Sequence, residues 1–314
     1  MGRREIVITY VVIVLFIVIG IGYAYLEEDL SLQNNVTLTN YSAKPPVCIK
    51  ATTLHTEKCN SSSSSGCRAK GYSSGATITY GHTEGSTLTS GYALTCDVNG
   101  DGTYNETTER FYYVSDFYDT NLSTPAFNED YVTLIYYKNY GSSAVKYNSS
   151  GYNYQGPTTL RSSLPTSGSS GTWKNISLVN EQRQILNESG GTTVIDGTTH
   201  NLPKFSYAGY AARLLTTQEL SKACNNITVG SQATGELDSC EFLMEDSSYS
   251  KSSGCSGGSC HYWLETPYAT SGAASKGLVW VVYGSGRNVG LNYANITYGS
   301  RPAVDILKSD ISLK

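Results

Sequence analysis

The sequence predicts an α+β domain of mainly antiparallel strands with few short helices, preceded by one N-terminal transmembrane helix. Three observations carry this expectation. An apolar run fills residues 6–26, strand-like segments bounded by Gly, Asn or Asp recur from Tyr92 onward, and one well-capped helix begins at Thr216.

The apolar run follows Met1-Gly2-Arg3-Arg4-Glu5 and is broken only by Thr9, Gly20, Gly22 and tyrosines that suit an interface. Its length matches the hydrocarbon core of a bilayer. Arg3 and Arg4 precede it and Glu27, Glu28 and Asp29 follow, so the positive-inside rule puts residues 1–5 in the cytoplasm and the remainder outside. A retained anchor is preferred over a cleaved leader because the run exceeds the usual apolar core of a signal peptide. Cleavage after Gly22-Tyr23-Ala24 would make the chain secreted. Residues 27–46 are polar and end in Lys44-Pro45-Pro46, as a spacer does.

Eight cysteines fall into two groups of four, and an extracytoplasmic setting reads them as disulfides. Each group allows three pairings. The preferred set joins Cys48 with Cys96, Cys59 with Cys67, Cys224 with Cys240 and Cys255 with Cys260. Residues 47–91, with their run of five serines at Ser61–Ser65, read as a disulfide-stapled N-terminal region, and residues 92–312 as the main ectodomain.

Within that ectodomain, Tyr92–Cys96, Arg110–Val114 and Tyr131–Tyr137 form a β-meander. A short helix follows Pro157, and Thr216 with Glu219 makes a capping box ahead of Leu220 and Ala223. The last elements are Gly277–Tyr283, a turn, a polar stretch near Asn292-Tyr293, and Arg301–Ile306.

Function classes narrow by elimination. Lys and Arg number 22 against 26 Asp and Glu, a net charge of -4, so no broad basic surface is available for a phosphate backbone and nucleic acid is not an expected partner. His55, His82, His200 and His261 are scattered, with neither Gly-x-Ser-x-Gly nor His-Glu-x-x-His, so no catalytic residue is assigned. Asp97, Asn99 and Asp101 are spaced like the first oxygen ligands of a calcium loop, but the loop's twelfth position is Thr108 and the acid Glu109 comes one residue late. A hairpin turn is the preferred reading of these residues and a calcium site the alternative; no cofactor is otherwise expected.

Three segments in order carry a family likeness: Ala212–Leu220 with its Arg-Leu-Leu-Thr-Thr-Gln-Glu, Tyr262–Tyr268 with Trp-Leu-Glu-Thr-Pro, and Tyr298–Val304 with Gly-Ser-Arg-Pro-Ala-Val. Together they resemble a domain of unknown function found in surface and secreted proteins of gut-dwelling Gram-positive bacteria. That domain is in turn similar to C-type-lectin-like and formylglycine-generating-enzyme-like folds. The sequence departs from it at Glu265, usually Arg, and at Ser300, usually Val. It also lacks the lectin calcium segments Glu-Pro-Asn and Trp-Asn-Asp. The resemblance implies a lectin-like fold, with Trp263, Glu265 and Arg301 as its structural signature. Glu265 and Arg301 are expected to form a buried pair, with an exposed Arg301 gripping a carboxylate ligand as the alternative. The ligand-facing stretch of such a fold would contain Trp280, Tyr283, Arg287, Asn288, Asn292 and Tyr293; the other reading of these residues packs Trp280 in the core and leaves the rest to cap strands. The expected function is a membrane-anchored surface protein that binds a glycan, peptide or protein, with a structural envelope or pilin-like component as the alternative.

Overall fold

A computed structural model describes residues 44–51, 79–81, 87–115, 131–188, 190–224, 226–230, 233, 235–244, 261–269, 276–284 and 286–313. The apolar run 6–26, nearly all of the spacer 27–46, and the pairs Cys59–Cys67 and Cys255–Cys260 lie outside them. Among the described residues no helix is long and apolar enough to cross a membrane.

The described residues within Pro46–Lys314 form one compact unit. In chain order the strands of its first part are β1 (Cys48–Lys50), β2 (Thr79–Gly81), β3 (Thr87–Thr89), β4 (Ala93–Cys96), β5 (Arg110–Ser115), β6 (Tyr131–Tyr136) and β7 (Val145–Lys146). A single-turn helix α1 (Thr158–Arg161) follows, then β8 (Gln182–Gln184), β9 (Thr192–Ile195), β10 (Thr198–Asn201) and β11 (Lys204–Ser206). Helix α2 (Thr217–Ala223) precedes β12 (His261–Pro267), β13 (Leu278–Tyr283), β14 (Asn288–Tyr293), β15 (Thr297–Tyr298), β16 (Ala303–Leu307) and β17 (Ile311–Ser312). Mainly antiparallel strands with few short helices are what the sequence patterning predicts.

The main sheet has the order β16-β6-β5-β4-β1-β17. In its meander β4-β5-β6, strands β5 and β6 are rich in aromatic and β-branched residues, which suit a pleated surface buried on both faces, and β5 is buried along its whole length. β1 lies between β4 and the C-terminal β17, antiparallel to the first and parallel to the second. The segment that reads as the stapled N-terminal region thus contributes an inner strand to this sheet. Cys48 and Cys96 face each other in the β1–β4 ladder and are disulfide-bonded. The amides of Asp97 and Ala51 bond across to Val47 and Ala93, so the two cysteines occupy a position between ladder bonds, where side chains approach most closely. Cys224, the residue that ends α2, is bonded to Cys240. Among the described residues no cysteine is free.

A second sheet, β12-β13-β14, separates two apolar clusters. Tyr262, Leu264, Trp280, Val282 and Val289 join the larger cluster with the main sheet and α2. Trp263, Val279 and Val281 point the other way, into a smaller cluster with Tyr147, Leu160, Phe205 and Leu214. Burial on both faces explains why β13 reads as a continuous apolar run.

Candidate functional site

The second sheet decides where the residues of the ligand-facing stretch stand. Side chains alternate along a strand, so Trp280 and Tyr283 point to opposite faces. Trp280 is 5% exposed, its ring meets Tyr268 edge-on, and its indole N–H donates to Glu188 Oε2 at 3.4 Å. Cross-strand pairing puts Leu278 opposite Tyr293, Trp280 opposite Leu291 and Tyr283 opposite Asn288. Tyr293 therefore shares the Trp280 face, and Tyr283, Asn288 and Asn292 share the other. Arg287 occupies the β13–β14 turn with φ 51°, exposed. The six residues belong to one hairpin but do not converge on one cleft.

On the Tyr283 face the polar groups are largely spent on the hairpin itself. Tyr283 Oη donates to the Leu291 carbonyl at 3.0 Å, and Asn292 Nδ2 donates to Tyr283 Oη and to Tyr298 Oη. Burial, then the neighbouring Tyr298, raises the Tyr283 phenol well above its ordinary value. The half-buried His261 ring stands 5.0 Å from Tyr283 and 5.4 Å from Tyr298, and its Nδ1 accepts the Gly284 N–H at 3.1 Å. The large apolar side chains left exposed here lie at the open end of the hairpin. Tyr293 is 46% exposed and Ile296, in the turn to β15, is 40% exposed, with the Ile296 N–H on the Tyr293 carbonyl at 2.9 Å.

The signature residues are scaffold. Glu265 and Arg301 are both fully buried, but each has its own partner. Glu265 holds Arg183, whose Nε lies 2.8 Å from both carboxylate oxygens. Burial, and next the Glu265 charge, pushes the phenols of Tyr147 and Tyr207 far up. Arg301 instead gathers backbone carbonyls, those of Tyr136 at 2.6 Å, Leu243 at 2.9 Å and Phe242 at 2.7 Å, with its guanidinium over the Tyr262 ring. Trp263 is buried, its N–H on the Val145 carbonyl at 3.0 Å. Arg183, 82 residues before Glu265, carries no local signal that would mark it as the partner.

Asp97, Asn99 and Asp101 form the start of the β4–β5 connection. Asp97 accepts the amides of Asp101 and Gly102 at 3.1 and 3.0 Å, Asn99 accepts that of Asp101 at 2.8 Å, and Asp101 accepts that of Thr103 at 2.8 Å. Hydrogen bonds from Thr103 hold the Asp101 carboxyl below its ordinary value. Among the described residues no three His, Cys, Asp or Glu side chains are gathered closely enough to hold a metal as they stand.

No protein-family model matches the chain, and no curated protein or solved structure matches it either.

Proposed function

We propose that the chain is a single-pass bacterial surface protein with a cytoplasmic N-terminus, whose lectin-like ectodomain binds a glycan, peptide or protein and performs no catalysis. The observation that carries the reading is the pairing of Tyr293 and Ile296. Two of the large apolar side chains that the described residues leave exposed lie three positions apart at the end of the β13–β14 hairpin. An exposed Tyr offers rigid contact area at low entropic cost, as the aromatic residues of binding loops do. Trp280 is 5% exposed and packs on Tyr268, so it belongs to the core rather than to the contact surface. The disulfides Cys48–Cys96 and Cys224–Cys240 suit an oxidising, extracytoplasmic setting.

The test is binding of the detergent-solubilised full-length chain to glycan and cell-wall arrays, beside a variant carrying Tyr293→Ala and Ile296→Ser. Loss of about tenfold or more in affinity for any captured ligand supports this surface, since truncating a central contact typically removes 2 kcal/mol or more. Equal binding by the variant would move the site elsewhere. Absence of any binding by a folded chain would favour a structural role in the envelope.

A further inference from the structure

The β4–β5 connection contains an acid that its local hydrogen bonds do not explain. Glu109 is 3% exposed. Its Oε2 accepts the Asn105 N–H at 3.0 Å, while Oε1 is buried without a hydrogen-bond partner. Such an atom in a folded protein calls for an explanation, and an ion is one of the few available.

The neck of the loop puts this acid where a cation would need it. The Cys96 N–H donates to the Glu109 carbonyl at 2.9 Å, so Asp97 and Glu109 rise from opposite stems at the same level. A single helical turn, closed by the Glu109 N–H on the Asn105 carbonyl at 2.7 Å, takes up the extra residue that puts Glu109 out of register with a twelve-residue calcium loop. The charges of Asp97 and Asp101 and the backbone N–H of Asn99 act on the Glu109 carboxyl. Burial first, and those charges after it, raise that carboxyl above its ordinary value.

We infer that the loop from Asp97 to Glu109 binds one calcium ion through the side-chain oxygens of Asp97, Asn99, Asp101 and Glu109. Oxygen donors of mixed charge on an irregular loop suit calcium rather than magnesium, which demands tighter octahedral geometry. Thr103 occupies the seventh position, from which such loops supply a backbone carbonyl. On binding, the ion draws the exposed Asp101 inward, toward Asp97 and Glu109. Lys174, whose side chain lies over Gly100, is the basic group that faces Asp101 and competes with the ion there.

Calorimetric titration of the chelator-treated full-length chain in detergent with calcium chloride tests the assignment. One ion per chain is expected, with a Kd on the order of 10⁻⁴ to 10⁻³ M, the range of extracellular modules. Glu109→Gln and Asp101→Asn should each weaken binding by about tenfold or more, because affinity follows ligand charge. Asp101 is exposed, so its variant should melt like the parent in chelator, and weakened binding there cannot be misfolding. No heat of binding by the folded parent would overturn the inference. Undiminished binding by both variants, or magnesium binding as tightly as calcium, would overturn it equally.

Discussion

His261 shows how much a single side chain can fix about the hairpin. Its Nδ1 accepts the Gly284 N–H, which leaves the neutral ring's proton on Nε2. Protonation would turn that acceptor into a donor facing another donor, and burial already lowers the folded-state pKa below the ordinary value. The sign follows from linkage. In the window between the folded pKa and about 6.5 the unfolded chain binds the extra proton, so stability rises with pH. The contribution is complete above about pH 6.5 and lost as pH falls through the window. His261→Asn offers an oxygen in the place of Nδ1 and has no charge to gain. The stability difference between parent and variant should be constant above about pH 7 and move in the variant's favour toward about pH 5, where imidazole protonates. Urea unfolding at a series of pH values measures it, and a difference that stays flat across the whole range would remove His261 as the titrating group.

Elements are tied together by one buried guanidinium. Arg213 reaches Glu219 of α2 with both terminal nitrogens, Asp305 of β16 at 2.9 Å and Thr133 of β6 at 3.1 Å. Glu219 in turn accepts the Thr216 N–H at 2.9 Å and so closes the capping box that starts α2. Taking away the cation leaves a buried carboxylate uncompensated, so Arg213→Met should lose about 3–5 kcal/mol in urea unfolding. Adding Glu219→Gln should recover part of it, since the amide is neutral and can still cap. A loss below about 1 kcal/mol for Arg213→Met would reduce the cluster to a surface-like pair. The capping box is legible in the sequence because its two residues are three apart. The cluster is not, because Asp305 and Thr133 lie 92 and 80 residues from Arg213. Strands β5, β6 and β13 announce themselves through β-branched and aromatic residues. By contrast β14, Asn-Val-Gly-Leu-Asn-Tyr, reads as a polar stretch, and its strand state comes from pairing along all six residues with β13. The candidate site was blurred for a related reason. An unbroken apolar run in β13 hides the alternation that sends Trp280 and Tyr283 to opposite faces.

At the scale of the whole molecule, the two ends of the compact unit meet in one sheet. β1 has three residues and β17 two, and each is too short to hold by ladder bonds alone, yet Val47, Cys48 and Ile311 are buried in the main cluster. The Cys48–Cys96 bond spans 48 residues, against 16 for Cys224–Cys240. Loop-closure entropy alone makes the first worth about 4 kcal/mol and the second about 3 kcal/mol, so the longer bond should dominate. Replacing Cys48 and Cys96 together by Ala should therefore lower the urea midpoint more than replacing Cys224 and Cys240. Hydrogen exchange separates a global effect from a local one. The amides of Ala51 and Asp97 bond across β1 and β4, to Ala93 and Val47. If the disulfide pins β1, these two should exchange much faster in the Cys48/Cys96 variant than amides of the β5–β6 pair, because β1 and then β17 would detach while the meander persists. Equal acceleration throughout would mean that the sheet opens only as a unit. Unchanged exchange at Ala51 and Asp97 would mean that packing of Val47 and Ile311 holds the junction without the bond.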